Sequence, residues 1–159
     1  MKKTNTRGST MNKALTIPIK FFSADAGRSF TPVKAYETDA CYDVMAAETV
    51  FIAPGKVERV RLGFGLQLPV GWEAQIRPRS GLNSKGILAL FGTIDAAYRG
   101  EVAAVIFNAS GQHWSTEPGM RVAQMAIRPI YDTSFTEVVD LEASDRGDRG
   151  FGSSGLKGV

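Results

Sequence analysis

The chain has a single cysteine, Cys41, and a single histidine, His113, among its 159 residues. One cysteine excludes an intrachain disulfide, and one Cys with one His supplies no Cys/His zinc ligand set. Zinc deaminases and zinc peptidases are thereby set aside. Long apolar runs are lacking too, since nothing approaches the roughly 20 residues that a bilayer-spanning helix needs. The N-terminus has no contiguous apolar core of the kind that marks a secretory leader, so the expectation is a cytoplasmic protein, or one in a host-cell cytoplasm if it is viral. Amphipathic helices are scarce: only Gly81–Lys85 reads as a turn or two of helix. The positive charge excess is small, +3, and too diffuse for the basic stripe that accompanies nucleic-acid binding. What is present is an ordinary apolar fraction of 43% with 17 glycines. That is the composition of one turn-rich globular domain with a real core.

Along the chain, residues 1–13 are polar, basic and without periodicity, and are read as a disordered lead-in. Residues 14–142 read as one β domain, and 143–159 as a flexible glycine-rich arm. Ile17, Ile19 and Phe21 alternate with Pro18 and Lys20, which predicts an edge strand. Residues 24–37 are loop-like. Thr49–Ala53 is short and β-branched. Val60, Leu62, Phe64, Leu66 and Leu68 alternate with Arg59, Arg61, Gly63, Gly65 and Gln67, the period-two pattern of a half-buried strand. Further strands are predicted over Trp72–Arg77, Glu101–Phe107, Arg121–Tyr131 and Phe135–Val139. About seven short strands between turn signals predict an all-β sandwich or jelly roll.

Five stretches carry residues suited to chemistry. In Gly92–Val102, GTIDAAYRGEV, Asp95 is a candidate general base, Tyr98 a flat wall for a ring and Arg99 an anchor. The same residues would equally suit a β-hairpin with a surface Asp and a capping Tyr. In Pro78–Leu82, the Ser80 hydroxyl, the Gly81 amide and Arg79 could hold phosphate oxygens, or form a plain strand-to-turn junction. In Asp39–Val44, Asp43 is either a carboxylate close to a metal–phosphate complex or a turn residue beside a half-buried Tyr. In Gly119–Met125, Gln124 falls on the opposite strand face from Ala123 and Met125. The tail reads ASDRGDRGFGSSGLKGV. Its Phe151, between glycines and near Arg146 and Arg149, offers a stacking ring, backbone amides and cations. It is either a lid or a slack tail. His113 beside Trp114 reads as a surface loop pair, and Cys41 as a packed thiol.

Taken in order, ACYDV, PRSGL, GTIDAAYRGEV, GMRVAQM and RGDRGFGSSG resemble the five motifs of the trimeric deoxyuridine triphosphatase (dUTPase) family, from about Thr38 to Gly155. The resemblance implies a distorted jelly-roll homotrimer that hydrolyses dUTP to dUMP and pyrophosphate with Mg²⁺. Neither nucleic acid nor membrane is expected as a partner. Carried onto this chain, Asp95 would activate water for attack at the α-phosphorus, with Thr93 and Ile94 beside it at the substrate. Tyr98 would pack under the deoxyribose, where a 2′-hydroxyl would clash. Arg79, Ser80, Gly81 and Gln124 would hold phosphates, Arg146 the γ-phosphate, and Phe151, with Gly152 and Ser153, would close over uracil. Asp43 would help hold the hydrated metal. Sites would lie between subunits, sealed by a borrowed arm.

Three departures stand out. Cys41 replaces the usual glycine, and Asp148–Arg149 replaces small residues. The segment between Leu82 and Gly92 is shorter than the family's uracil-reading hairpin and lacks its Asn, so main-chain groups around Ile87–Phe91 would read the base. Deoxycytidine triphosphate deaminases share this fold, but that branch needs a glutamate near the base and Ser80–Asp95 contains none. A regulatory nucleotide-binding descendant is the remaining alternative, and intact Asp95, Arg79 and Phe151 argue for catalysis.

Overall fold

The computed structural model describes residues 15–22 and 30–150. In chain order the described elements are β1 (Ile19–Phe21), β2 (Tyr42–Met45), β3 (Phe51–Ile52), β4 (Val57–Arg61), β5 (Phe64–Leu66) and β6 (Trp72–Arg77). They continue with α1 (Ser80–Asn83), β7 (Ile87–Ala89), β8 (Gly92–Ile94), β9 (Ala103–Asn108), β10 (Trp114–Ser115) and β11 (Arg121–Pro129). All strand pairs are antiparallel. The largest sheet has the order β2-β11-β6-β8, and a second has β4-β9-β7. Two-stranded ribbons β1-β5 and β10-β3 complete the fold. These non-sequential neighbours are jelly-roll connectivity, as the turn-rich alternation predicts.

The core lies between the sheets and is built from Val44, Ile52, Val60, Leu62, Phe64, Ile76, Ile106 and Val122, all essentially inaccessible. At about 25 cal/mol per Å² such apolar burial dominates the stability. Two polar side chains, Thr116 and Asn108, are fully buried with them, and Asn108 is the amide of the two. Its Nδ2 donates to the carbonyls of Ile52 at 2.8 Å and Gln112 at 2.7 Å. Its Oδ1 accepts from the amide and hydroxyl of Ser110. These bonds satisfy the amide group and clamp the end of β9 to β3, so the burial is tolerated.

Two expectations need correction. The single strand expected over 60–68 is two strands in two sheets: β4 pairs with β9, and β5 pairs with β1. Gly63, with φ +76°, takes a conformation that side chains disfavour and turns the chain between them. Residues 62–66 are then covered on both faces, so alternation stops there. The strand expected over Phe135–Val139 is absent, because no described strand lies beside it to take its backbone hydrogen bonds. Phe135 is 98% and Val139 99% exposed. The strands β7, β8 and β10 are too short to show a period.

Candidate active site

The central strand β11 gathers the separate motifs. Its Gln124 sits opposite Asp43 of β2 on one side and Arg77 of β6 on the other. Gln124 Nε2 donates to the Pro78 carbonyl at 2.8 Å, which fixes the start of the next segment. Arg79 follows in extended conformation, and α1 begins at Ser80. The amides of a helix's first turn have no partner within the helix, and at Gly81 no atom comes within 4 Å of where a Cβ would sit. Ala35, Tyr36, Asp39, Cys41, Asp43, Arg79, Ser80, Gly81 and Gln124 line a cleft of about 510 Å³ here. Arg79 Nε donates to Asp43 Oδ1 at 2.9 Å.

A second cleft, about 290 Å³, is separate from it. Thr93, Ile94, Asp95 and Tyr98 line it, together with Arg59, Glu101 and Val105. Asp95 is exposed at the end of β8. Its carbonyl accepts from the Tyr98 amide at 3.0 Å, closing a tight turn. The Tyr98 hydroxyl donates to the Glu101 carbonyl at 3.0 Å. A Cβ on Gly100 would run into that hydroxyl, so glycine is required for the ring to lie where it does. Glu101 in turn accepts from the Gly63 amide at 3.0 Å and ties the turn to the β4–β5 corner. Tyr98 remains 46% exposed, with a face open to the cleft.

The structure therefore brings the predicted residues into two groups, not one. Asp95, Tyr98, Thr93 and Ile94 stand in one cleft; Arg79, Ser80, Gly81, Gln124 and Asp43 stand in the other. Arg146 lies in the exposed tail, where its Nε donates to the Arg149 carbonyl at 2.8 Å, and it lines neither cleft. Phe151, Gly152 and Ser153 fall outside the described residues. Sequence reading missed Arg59, whose outward position in the β4 alternation was visible but whose neighbour Asp95 was not. It also missed a role for Arg121, which donates to Asp43 Oδ2 at 3.2 Å.

Among the described residues no group of three or more His, Cys, Asp or Glu could hold a metal ion. Asp43, to which the motif resemblance assigns hydrated Mg²⁺, gives both oxygens to guanidiniums. A lone carboxylate shared in this way does not fit a protein-held cation cage, which takes several oxygen ligands. Among the described residues no helix is long and apolar enough to cross a membrane.

Comparison with known proteins follows the same lines. The family model for dUTPase matches residues 28–155. A deoxyuridine 5′-triphosphate nucleotidohydrolase of Clostridium tetani is 42% identical over 143 residues, 88% of this chain and 97% of that protein. One from Clostridioides difficile is 42% identical over 128 residues, 79% of this chain and 90% of that protein. Among solved structures, the Staphylococcus bacteriophage 80alpha dUTPase with dUpNHpp superposes with a TM-score of 0.81 at 28% identity, covering 90% of this chain and all of that one. A phage phi11 dUTPase of S. aureus, described with a structural Mg(II) ion, shares the fold with a TM-score of 0.72 at 24% identity, over 81% of this chain and 100% of that one.

Proposed function

This chain belongs to the dUTPase family, and we propose from that premise that it hydrolyses dUTP to dUMP and pyrophosphate. The observation that carries the reading is the exposed Asp95 carboxylate, set in a cleft with the Tyr98 ring as its wall. Asp95 takes a proton from water as the water oxygen attacks the α-phosphorus. The bond from that phosphorus to the oxygen bridging to the β-phosphate breaks, and pyrophosphate leaves. A positioned base contributes roughly 10²–10⁴-fold, and the remainder comes from holding the phosphates in line. Arg79, Ser80, Gly81 and Gln124 are the groups for that.

Because those groups lie in a different cleft from Asp95, one chain alone does not assemble the site. We assign the assembly to a homotrimer in which each site takes residues from neighbouring copies. The outer face of β4 and β9, with Val57, Arg59 and Val105 exposed, runs into the Asp95 cleft and is where a second copy would seat. The arm, with Arg146 and Phe151, closes the site over bound triphosphate. Ordering it costs on the order of 1 kcal/mol per residue, so closure depends on the ligand. The phi11 dUTPase is described with a structural Mg(II) ion, and Mg²⁺ is proposed here as a cofactor that arrives on the triphosphate. The domain limits are proposed as 14–142 for the β fold and 143–159 for the arm.

One assay tests the function: incubation with dUTP, dCTP, dTTP or UTP and Mg²⁺, reading pyrophosphate and ammonia. Pyrophosphate from dUTP alone, without ammonia, is the expected result. Ammonia from dCTP would move the chain to deaminase chemistry.

A further inference from the structure

We infer that Arg121 is a positioning residue for the phosphate cleft: it shares the Asp43 carboxylate with Arg79, so that Arg79 can leave that carboxylate for a bound polyphosphate. The inference rests on the triphosphate reading above. The Asp43 side chain is only 14% exposed. Its Oδ1 accepts from Arg79 Nε at 2.9 Å, and its Oδ2 from Arg79 Nη2 at 3.3 Å and Arg121 Nη1 at 3.2 Å. Arg79 Nη1 also donates to the Arg121 carbonyl at 3.0 Å. The fork of Arg79 is thus turned onto Asp43 and the β11 backbone.

The backbone places Arg121 there by an irregularity. Pairing of β11 with β2 shifts register between Arg121 and Ala123. Val122 and Ala123 are both buried, so alternation is broken at that point. Simple alternation back from buried Ala123 would send Arg121 into the core. The bulge instead brings it out on the face of Gln124 and Asp43, the re-aiming that bulges perform.

Charge gives the bulge a use. The lining of the phosphate cleft includes the carboxylates of Asp39 and Asp43 and, as its cation, Arg79. A carboxylate with one guanidinium partner holds it in a bidentate fork. Moving that partner away would strand a largely covered charge, which is costly. With Arg121 as second partner, Asp43 stays compensated when Arg79 turns to the ligand.

The test is a double-mutant cycle on the full-length protein, read as the dissociation constant for dUpNHpp in the presence of a metal chelator. Arg121→Met should weaken binding about tenfold, and by less than about threefold in an Asp43→Asn background, where no carboxylate holds Arg79. With dUTP and Mg²⁺, Arg121→Met should raise KM about tenfold while kcat stays within about threefold, because Asp95 is untouched. Arg121→Lys, which keeps a cation beside Asp43, should recover part of the loss and replaces the Met variant if that one melts early. An equal loss in both backgrounds would mean that Arg121 grips phosphate directly and would overturn the inference, as would no loss in either. A wild type that hydrolyses no dUTP and binds no dUpNHpp sinks the functional reading itself, and this inference with it.

Discussion

At the residue scale the proposed chemistry comes down to Asp95 and the turn that aims it. The Tyr98 amide and hydroxyl each have a fixed partner, so the ring is held without using the carboxylate of Asp95. Asp95→Asn keeps shape and removes the proton acceptor. It is expected to lower kcat by roughly 10²–10⁴-fold while dUTP binding persists, measured by steady-state kinetics beside calorimetric titration. Turnover equal to wild type would refute the base assignment. Gly100→Ala acts at one remove. The added methyl displaces the Tyr98 hydroxyl, so KM for dUTP should rise and discrimination against UTP should fall, checked by parallel assays with both nucleotides.

At the element scale two contacts decide how firmly strands are joined. Asn108→Ala leaves the Ile52 and Gln112 carbonyls without their shared donor inside the fold. A loss of about 2–3 kcal/mol is expected in a urea titration. The second contact joins the loop before β3 to β4: the Arg61 amide and Nε both donate to Glu48, at 3.0 and 2.9 Å. The side-chain hydrogen bond from Arg61 holds the Glu48 carboxyl below its ordinary value of 4.5. A group lowered on folding stabilises above its unfolded value, and that contribution is lost as pH falls through the folded one. Glu48→Gln should therefore lower Tm modestly near neutrality, with the difference from wild type vanishing as the pH falls through the acid range, so that the acid limb of Tm against pH is flattened. The pair is partly exposed, so the effect should shrink in high salt.

At the scale of the whole molecule, the isolated chain carries more apolar surface than it can cover. Phe135, Val139 and Leu141 stand in solvent beyond β11, and the two halves of the site do not meet. The trimer proposed above would answer both. Truncation after Ser144 removes Arg146 and Phe151 and keeps the apolar segment. The expected product is a folded trimer by light scattering with much reduced kcat/KM for dUTP. A fully active truncated protein would remove the arm from the mechanism.

The sequence by itself determined the fold class, because period-two alternation and closely spaced glycine turns leave no other way to bury Val60, Ile76 and Ile106. It also supplied the inventory of the proposed site, since a base, a ring and phosphate-holding groups are residue types that survive as letters. Tertiary structure decided where these groups stand. Only the register of β11 with β2 and β6 shows Gln124 between Asp43 and Arg77, and only the bulge shows that Arg121 faces Asp43. Alternation cannot report a register shift, and a turn such as Gly63 hides inside an apparently continuous pattern. The separation of the two clefts is set by the strand order β2-β11-β6-β8, which puts one cleft by β2 and β11 and the other by the β8 edge, a long-range choice that no local run of residues encodes.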